Sequence, residues 1–157
     1  MQRVKLTNGE AAASRSVHLG TLRRPYAFAS PARGEYALLL VVEATAEIDP
    51  DEQSRLSEQF VRTGCRYAVC VGPDSSSWDD SIDMVGVMDE IEGRSAPFVM
   101  TTWRDREPLD QAVWDFANLA RSDDWSTTEY VAVLIGGDAR REEELLRVLV
   151  HHFESAS

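Results

Sequence analysis

Three carboxylates sit where a strand would hand the chain on to a helix: Glu43 after Tyr36–Val42, Asp74 after Tyr67–Val71, and Asp105 after Phe98–Thr102. Carboxylates brought together at strand ends can share general acid and base roles or hold a weakly bound Mg²⁺. Nucleophilic chemistry has less to work with. No serine lies in a G-x-S-x-G elbow. The histidines are His18, near the amino terminus, and the adjacent His151 and His152. Adjacent residues on a helix diverge by about 100°, so these two do not pair as metal ligands in the way residues four apart do. Cys65 and Cys70 match no zinc or thioredoxin spacing, and Cys70 reads as a small buried hydrophobe within a strand. The sequence assigns no catalytic residue, no metal and no cofactor.

Phosphate binding has two candidate positions, because a helix N-terminus offers free N–H groups to an anion. They are Gly72-Pro73-Asp74-Ser75-Ser76-Ser77 and Gly136-Gly137-Asp138. Neither matches G-x-G-x-x-G or the P-loop pattern. Each places an aspartate where the anion would lie, and caps and turns account for both.

The elements that must position these groups follow from the apolar pattern. Tyr36–Val42, Tyr67–Val71, Phe98–Thr102 and Tyr130–Ile135 are short apolar runs, each followed by a helix-like stretch. Tyr36–Val42 is continuously apolar, as a strand buried on both faces should be. Asp49, Pro50 and Glu52 form a capping-box start for a helix with Leu56, Phe60 and Val61 inward and Gly64 at its end. Ser75–Ser77 would cap a second helix running from about Trp78 to Ile91. Its inward stripe would be Trp78, Ile82, Val85 and Ile91, and its outer face would carry Asp79, Asp80, Asp83, Asp89 and Glu90. Glu107 and Pro108 open a third helix with Leu109, Ala112, Val113 and Phe116 inward. Asp138 caps a fourth that runs to about Phe153.

Strands alternating with helices predict an α/β fold: a three-layer sandwich with a mostly parallel sheet of four or five strands and helices on both faces, Rossmann-like or flavodoxin-like but shortened. Residues 1–35 read as an N-terminal arm, with Val4–Thr7 as a short strand and Asn8-Gly9 as its turn, over a single domain of residues 36–157. An order of 2-1-3-4 for the four runs would place the switch point between the first and third. Ligand-binding candidates there are Glu43, Thr102, Trp103, Arg104 and Asp105, flanked by Asp74 and Ser76 on one side and Gly137 and Asp138 on the other.

Charge argues for a different kind of ligand. The formal net charge is −11, which works against binding a nucleic-acid backbone and fits a basic protein partner. Residues 1–35 run the other way, with six basic side chains against Glu10 and Glu35, so a mildly basic arm precedes a strongly acidic body. Partner-binding candidates are Asp79 and Asp83 on the acidic helix face, Trp114, and Asp124 with Trp125 in the acidic linker. Trp114 lies about 140° from Leu109 on its helix and so faces outward. Tryptophan is enriched at interface hot spots, and carboxylates around it steer a basic partner. No signal peptide is visible and no run approaches the ~18 apolar residues of a membrane helix, so a reduced, cytoplasmic setting is expected. Lys5 is the only lysine among many arginines, a habit of GC-rich bacterial genomes.

The segments Tyr67-Ala68-Val69-Cys70-Val71-Gly72-Pro73-Asp74 and Phe98-Val99-Met100-Thr101-Thr102-Trp103-Arg104-Asp105, with Glu107-Pro108-Leu109 and Val113-Trp114-Asp115-Phe116, resemble a family of short bacterial Rossmann-like α/β domains of unknown function. The resemblance covers about residues 36–136 and brings no catalytic residues with it. Small acidic proteins that neutralise bacterial toxins share this general character. The resulting expectation is a non-enzymatic protein-binding module, an immunity or inhibitor protein that takes a basic partner on an acidic surface. The alternative is a small-molecule or nucleotide-processing enzyme with its site at the carboxyl ends of the strands. A homodimer with a structural role, formed through the last strand or helix, is a third reading.

Overall fold

In the computed structural model, which describes residues 2–5 and 15–154, the chain forms ten elements. They are β1 (Gln2–Lys5), β2 (Ser16–Leu22), β3 (Tyr36–Val42), α1 (Pro50–Arg62), β4 (Cys65–Val71), α2 (Ser75–Ile91), β5 (Met100–Arg104), α3 (Leu109–Leu119), β6 (Glu129–Ile135) and α4 (Ala139–Glu154). The sheet order is β1-β2-β6-β3-β4-β5. The five strands from β2 to β5 pair in parallel, and β1 adds to β2 antiparallel.

β3 and β6 are buried at every residue, which places them at the centre. Alternation along β3 divides the core. Leu38, Leu40 and Val42 meet Leu56, Phe60, Trp78 and Ile82, so α1 and α2 cover one face. Ala37, Leu39 and Val41 meet Val113, Phe116, Leu145 and Phe153, so α3 and α4 cover the other. This is the three-layer α/β sandwich that the sequence predicts.

The strand order differs from the expected 2-1-3-4. Taking the four apolar runs in chain order, the structure has 3-2-1-4. The cause is hydrophobic. Under the expected order the run Tyr130–Ile135 would be an edge strand, yet it is apolar throughout and needs cover on both faces. β5 has no such need: its Met-Thr-Thr-Trp-Arg side chains are partly or wholly exposed, and it takes the edge. It also starts and ends two residues later than the apolar run suggests. The segment read as an arm supplies β2, which lies in register beside β6 from Ser16 to Leu22. Val17 and Leu19 enter the core, and His18 is buried on the opposite face with its Nε2 3.5 Å from Glu129 Oε2. Of the expected Val4–Thr7 strand, Val4 and Lys5 fall in β1; Leu6, Thr7, Asn8 and Gly9 lie outside the described residues.

α1 forms as its start signals dictate. Asp49 accepts from the Glu52 N–H at 2.8 Å, and Glu52 accepts in return from the Asp49 N–H at 3.2 Å. α2 begins earlier than expected, and Ser75–Ser77 form its first turn rather than its cap. Gly72 is fixed by contact. At φ +127° it passes the β3 exit so closely that a Cβ would stand 2.0 Å from the Val42 carbonyl oxygen. Among the described residues no helix is long and apolar enough to cross a membrane.

Candidate functional site

Order 3-2-1-4 moves the switch point to the carboxyl ends of β3 and β6. Three of the expected ligand residues meet there: Glu43, Gly137 and Asp138. The crevice is occupied by the protein itself. Arg141 binds Glu43 through Nε and Glu144 through a second nitrogen at 2.9 Å. The loop after β3 lies directly across the β6 exit. Thr45 donates to the Gly136 carbonyl at 2.6 Å, and a Cβ on Gly136 would stand 2.8 Å from Ala46. The two helix N-termini that follow β3 and β6 carry their own anion. Asp138 accepts from the Arg141 N–H at 2.9 Å at the start of α4. At α1 the Glu52 backbone hydrogen bond holds the Asp49 carboxyl below its ordinary range. An incoming phosphate would therefore compete with these caps in a surround of Glu43, Glu47, Asp49 and Asp51.

The other expected ligand residues stand elsewhere. Asp74 and Ser76 mark the start of α2, where the Asp74 carboxylate accepts from Ser77 Oγ at 3.1 Å. Thr102, Trp103, Arg104 and Asp105 belong to β5 and its exit, beyond β4. Arg104 is tied to Asp115 at 3.0 Å and Glu107 at 2.9 Å, and so fastens β5 to α3. The thiols are no better placed for chemistry: burial pushes Cys65 up to about 12 and Cys70 well above the ordinary value.

A different region stands out on the face that carries α2. At about 100° per residue, Trp78, Ile82, Val85 and Asp89 share one side of this helix, and all face inward. Met84, Val87, Met88 and Ile91, spaced i, i+3, i+4, i+7, form a second apolar stripe on the outside. All four are exposed, Ile91 at 71%. Ile91 was expected in the inward stripe and Asp89 outside, but they exchange places. Asp89 is fully buried because Arg62 reaches it with both guanidinium nitrogens, at 2.5 and 2.6 Å, and Arg94 adds a third bond at 3.2 Å. Those partners hold its carboxyl down at about 2.

Next to the stripe, Phe98 is 77% exposed and Trp103 47%; Met100 is also open, on the other face of β5. Seven of the nine large hydrophobic side chains exposed among the described residues thus lie on α2 or the β5 segment; Trp114 and Leu119 of α3 are the others. Hollows flank α2 on both sides. One, of about 530 Å³, lies toward α1 and is walled by Met84, Val85 and Met88, with Arg62, Asp89 and Arg94 at one end. The second, of about 640 Å³, lies toward β5 and is walled by Val87, Phe98 and Val99 with Asp83 and Glu90. Asp83 accepts from Thr101 Oγ1 at 3.0 Å. Desolvation raises the Asp79 carboxyl above its ordinary range, with the neighbouring Asp83 and Asp80 adding to the effect.

The expected partner residues therefore separate. Asp79 and Asp83 border this region. Trp114 faces outward as expected, at 42% exposure, but on α3, across the sheet. Trp125 packs against the α3/α4 core and donates to Glu35 at 3.3 Å beside exposed Asp124, near the amino ends of the strands. The signal for the α2 stripe was present in the spacing of residues 84, 87, 88 and 91. Placing Ile91 in the inward stripe hides it.

No curated protein matches this chain. A family model does, over residues 15–152, a span that runs from β2 to all but the last two residues of α4. The chain belongs to the family described as domain of unknown function DUF7684.

Proposed function

We propose that this protein is a binding module that takes a protein partner on the α2 and β5 surface. The observation that carries the reading is the second apolar stripe of α2. A surface helix needs one apolar face to hold it to its domain, and Trp78, Ile82 and Val85 already supply that. Met84, Val87, Met88 and Ile91 repeat the spacing by which helices engage a partner, and they remain in solvent. Contiguous exposed apolar surface of this kind marks interaction sites, and methionine adapts well to a partner's shape. Outside the buried Asp89, α2 carries Asp79, Asp80, Asp83 and Glu90 and no basic residue. A basic partner therefore suits the rim, in keeping with an immunity or inhibitor role.

The test is affinity capture of the tagged protein from its native lysate at low salt, beside Met88→Asp and Trp114→Ala. The expected result is a stoichiometric basic protein that leaves as salt rises, is lost with Met88→Asp and is retained with Trp114→Ala. Equal capture by wild type and Met88→Asp, or an empty eluate from wild type, would refute the proposal.

A further inference from the structure

β5 closes the sheet at one end, and among the described residues no strand pairs with its far side. The Gly72 N–H donates to the Arg104 carbonyl at 3.1 Å, so Arg104 turns its backbone groups toward β4. Alternation along the strand turns those of Thr101 and Trp103 to the open side. Parallel register with β4 places the Thr101 and Trp103 side chains on the α2 face, opposite Ala68 and Cys70. Above this edge α2 presents an acid row. Asp79, Asp83 and Glu90 fall within about 40° of one another on the helix, and Asp83 is bonded to Thr101 itself. One carboxylate oxygen of Asp79 is buried with no hydrogen-bond partner among the described residues, and the nearby Thr101 hydroxyl offsets only part of the carboxyl's desolvation.

We propose that the partner's contact segment is an extended, basic stretch of polypeptide that adds to β5 as a further strand. Its arginines or lysines would alternate with apolar residues, pointing toward Asp79, Asp83 and Glu90. This rests on the α2 and β5 surface being the docking face, and deepens it by naming the partner's chemistry. Main-chain hydrogen bonds to Thr101 and Trp103 supply binding, and the acid row selects the charge. A second copy of this chain suits the edge less well, because a twofold at β5 would bring two such acid rows together.

The probe is a synthetic peptide of about eight residues alternating arginine and valine, enough to span a typical strand. Its control alternates glutamate and valine. Binding is read by fluorescence anisotropy to wild type, Thr101→Val and Thr101→Pro. Proline removes an outward N–H and leaves the bonds to β4 in place. Valine keeps that N–H and removes only the hydroxyl. The expected result is salt-dependent binding of the basic peptide to wild type and Thr101→Val, and a loss of about tenfold or more with Thr101→Pro. The acidic peptide should not bind. Absence of binding, equal binding of both peptides, or equal binding to folded Thr101→Pro would overturn the proposal. So would a wild-type dimer that Thr101→Pro dissolves, which would make the occupant a second copy. If captured protein is lost with Met88→Asp but kept with Thr101→Pro, the docking face stands and strand addition falls.

Discussion

Arg62, at the end of α1, grips Asp89, near the end of α2, with two guanidinium hydrogen bonds of 2.5 and 2.6 Å, although Asp89 occupies a position that helix periodicity gives to an apolar residue. The Asp89 carboxylate is fully buried, and Arg94 closes over it. This clamp holds Asp89 inward at the far end of α2, with the apolar stripe on the opposite, solvent side. Removing the carboxylate leaves a buried gap and takes from Arg62 and Arg94 the anion that ties α1 to the end of α2. Asp89→Ala should therefore lower Tm markedly, and by more than Arg94→Ala, as differential scanning fluorimetry can check.

The same clamp predicts an acid response. Asp89 is held at about 2 in the fold, against an ordinary aspartate value of about 3.9. A depressed folded value means that its contribution is complete above the unfolded value and is lost as pH falls through the folded one. Wild type should lose more stability between about pH 4 and pH 2 than Asp89→Asn does. Equal losses in urea titrations across that window would count against the clamp.

Asp79 behaves in the opposite sense. Its carboxyl is raised, first by desolvation and then by Asp83 and Asp80, so ionisation costs the fold stability above that raised value and the cost fades as pH falls. Asp79→Asn should stabilise the protein at neutral pH, as urea unfolding can check. The gain should shrink in acid. It should also weaken the binding of a basic partner, the exchange of stability for function that interaction sites show.

Gly72 tests the sheet geometry. A Cβ there meets the Val42 carbonyl oxygen at 2.0 Å with φ at +127°, which adds a steric clash to backbone strain. Gly72→Ala should cost about 3 kcal/mol or more in urea unfolding.

Much of the architecture was readable because it follows from hydrophobic periodicity. β3, α1 with its Asp49 and Glu52 box, and the inward face of α3 were expected and are present. β2 escaped notice because His18 and Gly20 dilute its alternation, and its burial depends on β6, more than a hundred residues away. The strand order could have been found by asking which run is too apolar for an edge. Tyr130–Ile135 cannot be one, whereas the threonines and arginine of β5 suit one. Asp89 was unreadable, since only the fold brings Arg62 to it. The acidic character of α2 is legible in the sequence, but its second apolar stripe is hidden once Ile91 is placed inward.

Glu43 tests the strand-end alternative. Its carboxylate is taken by Arg141 in a partly exposed pair. Glu43→Gln should shift stability by less than about 1 kcal/mol and leave partner capture unchanged. Loss of capture with an unchanged Tm would return attention to the β3 and β6 exits.

The most direct measurement is amide hydrogen exchange of the protein alone and with its co-purified partner. Binding through the α2 and β5 surface predicts slowed exchange concentrated between residues 84 and 104, strongest at Thr101 and Trp103. Protection confined to the Trp114 helix, the Trp125 loop or the segments around Glu43 and Gly137, with residues 84–104 unchanged, would contradict it.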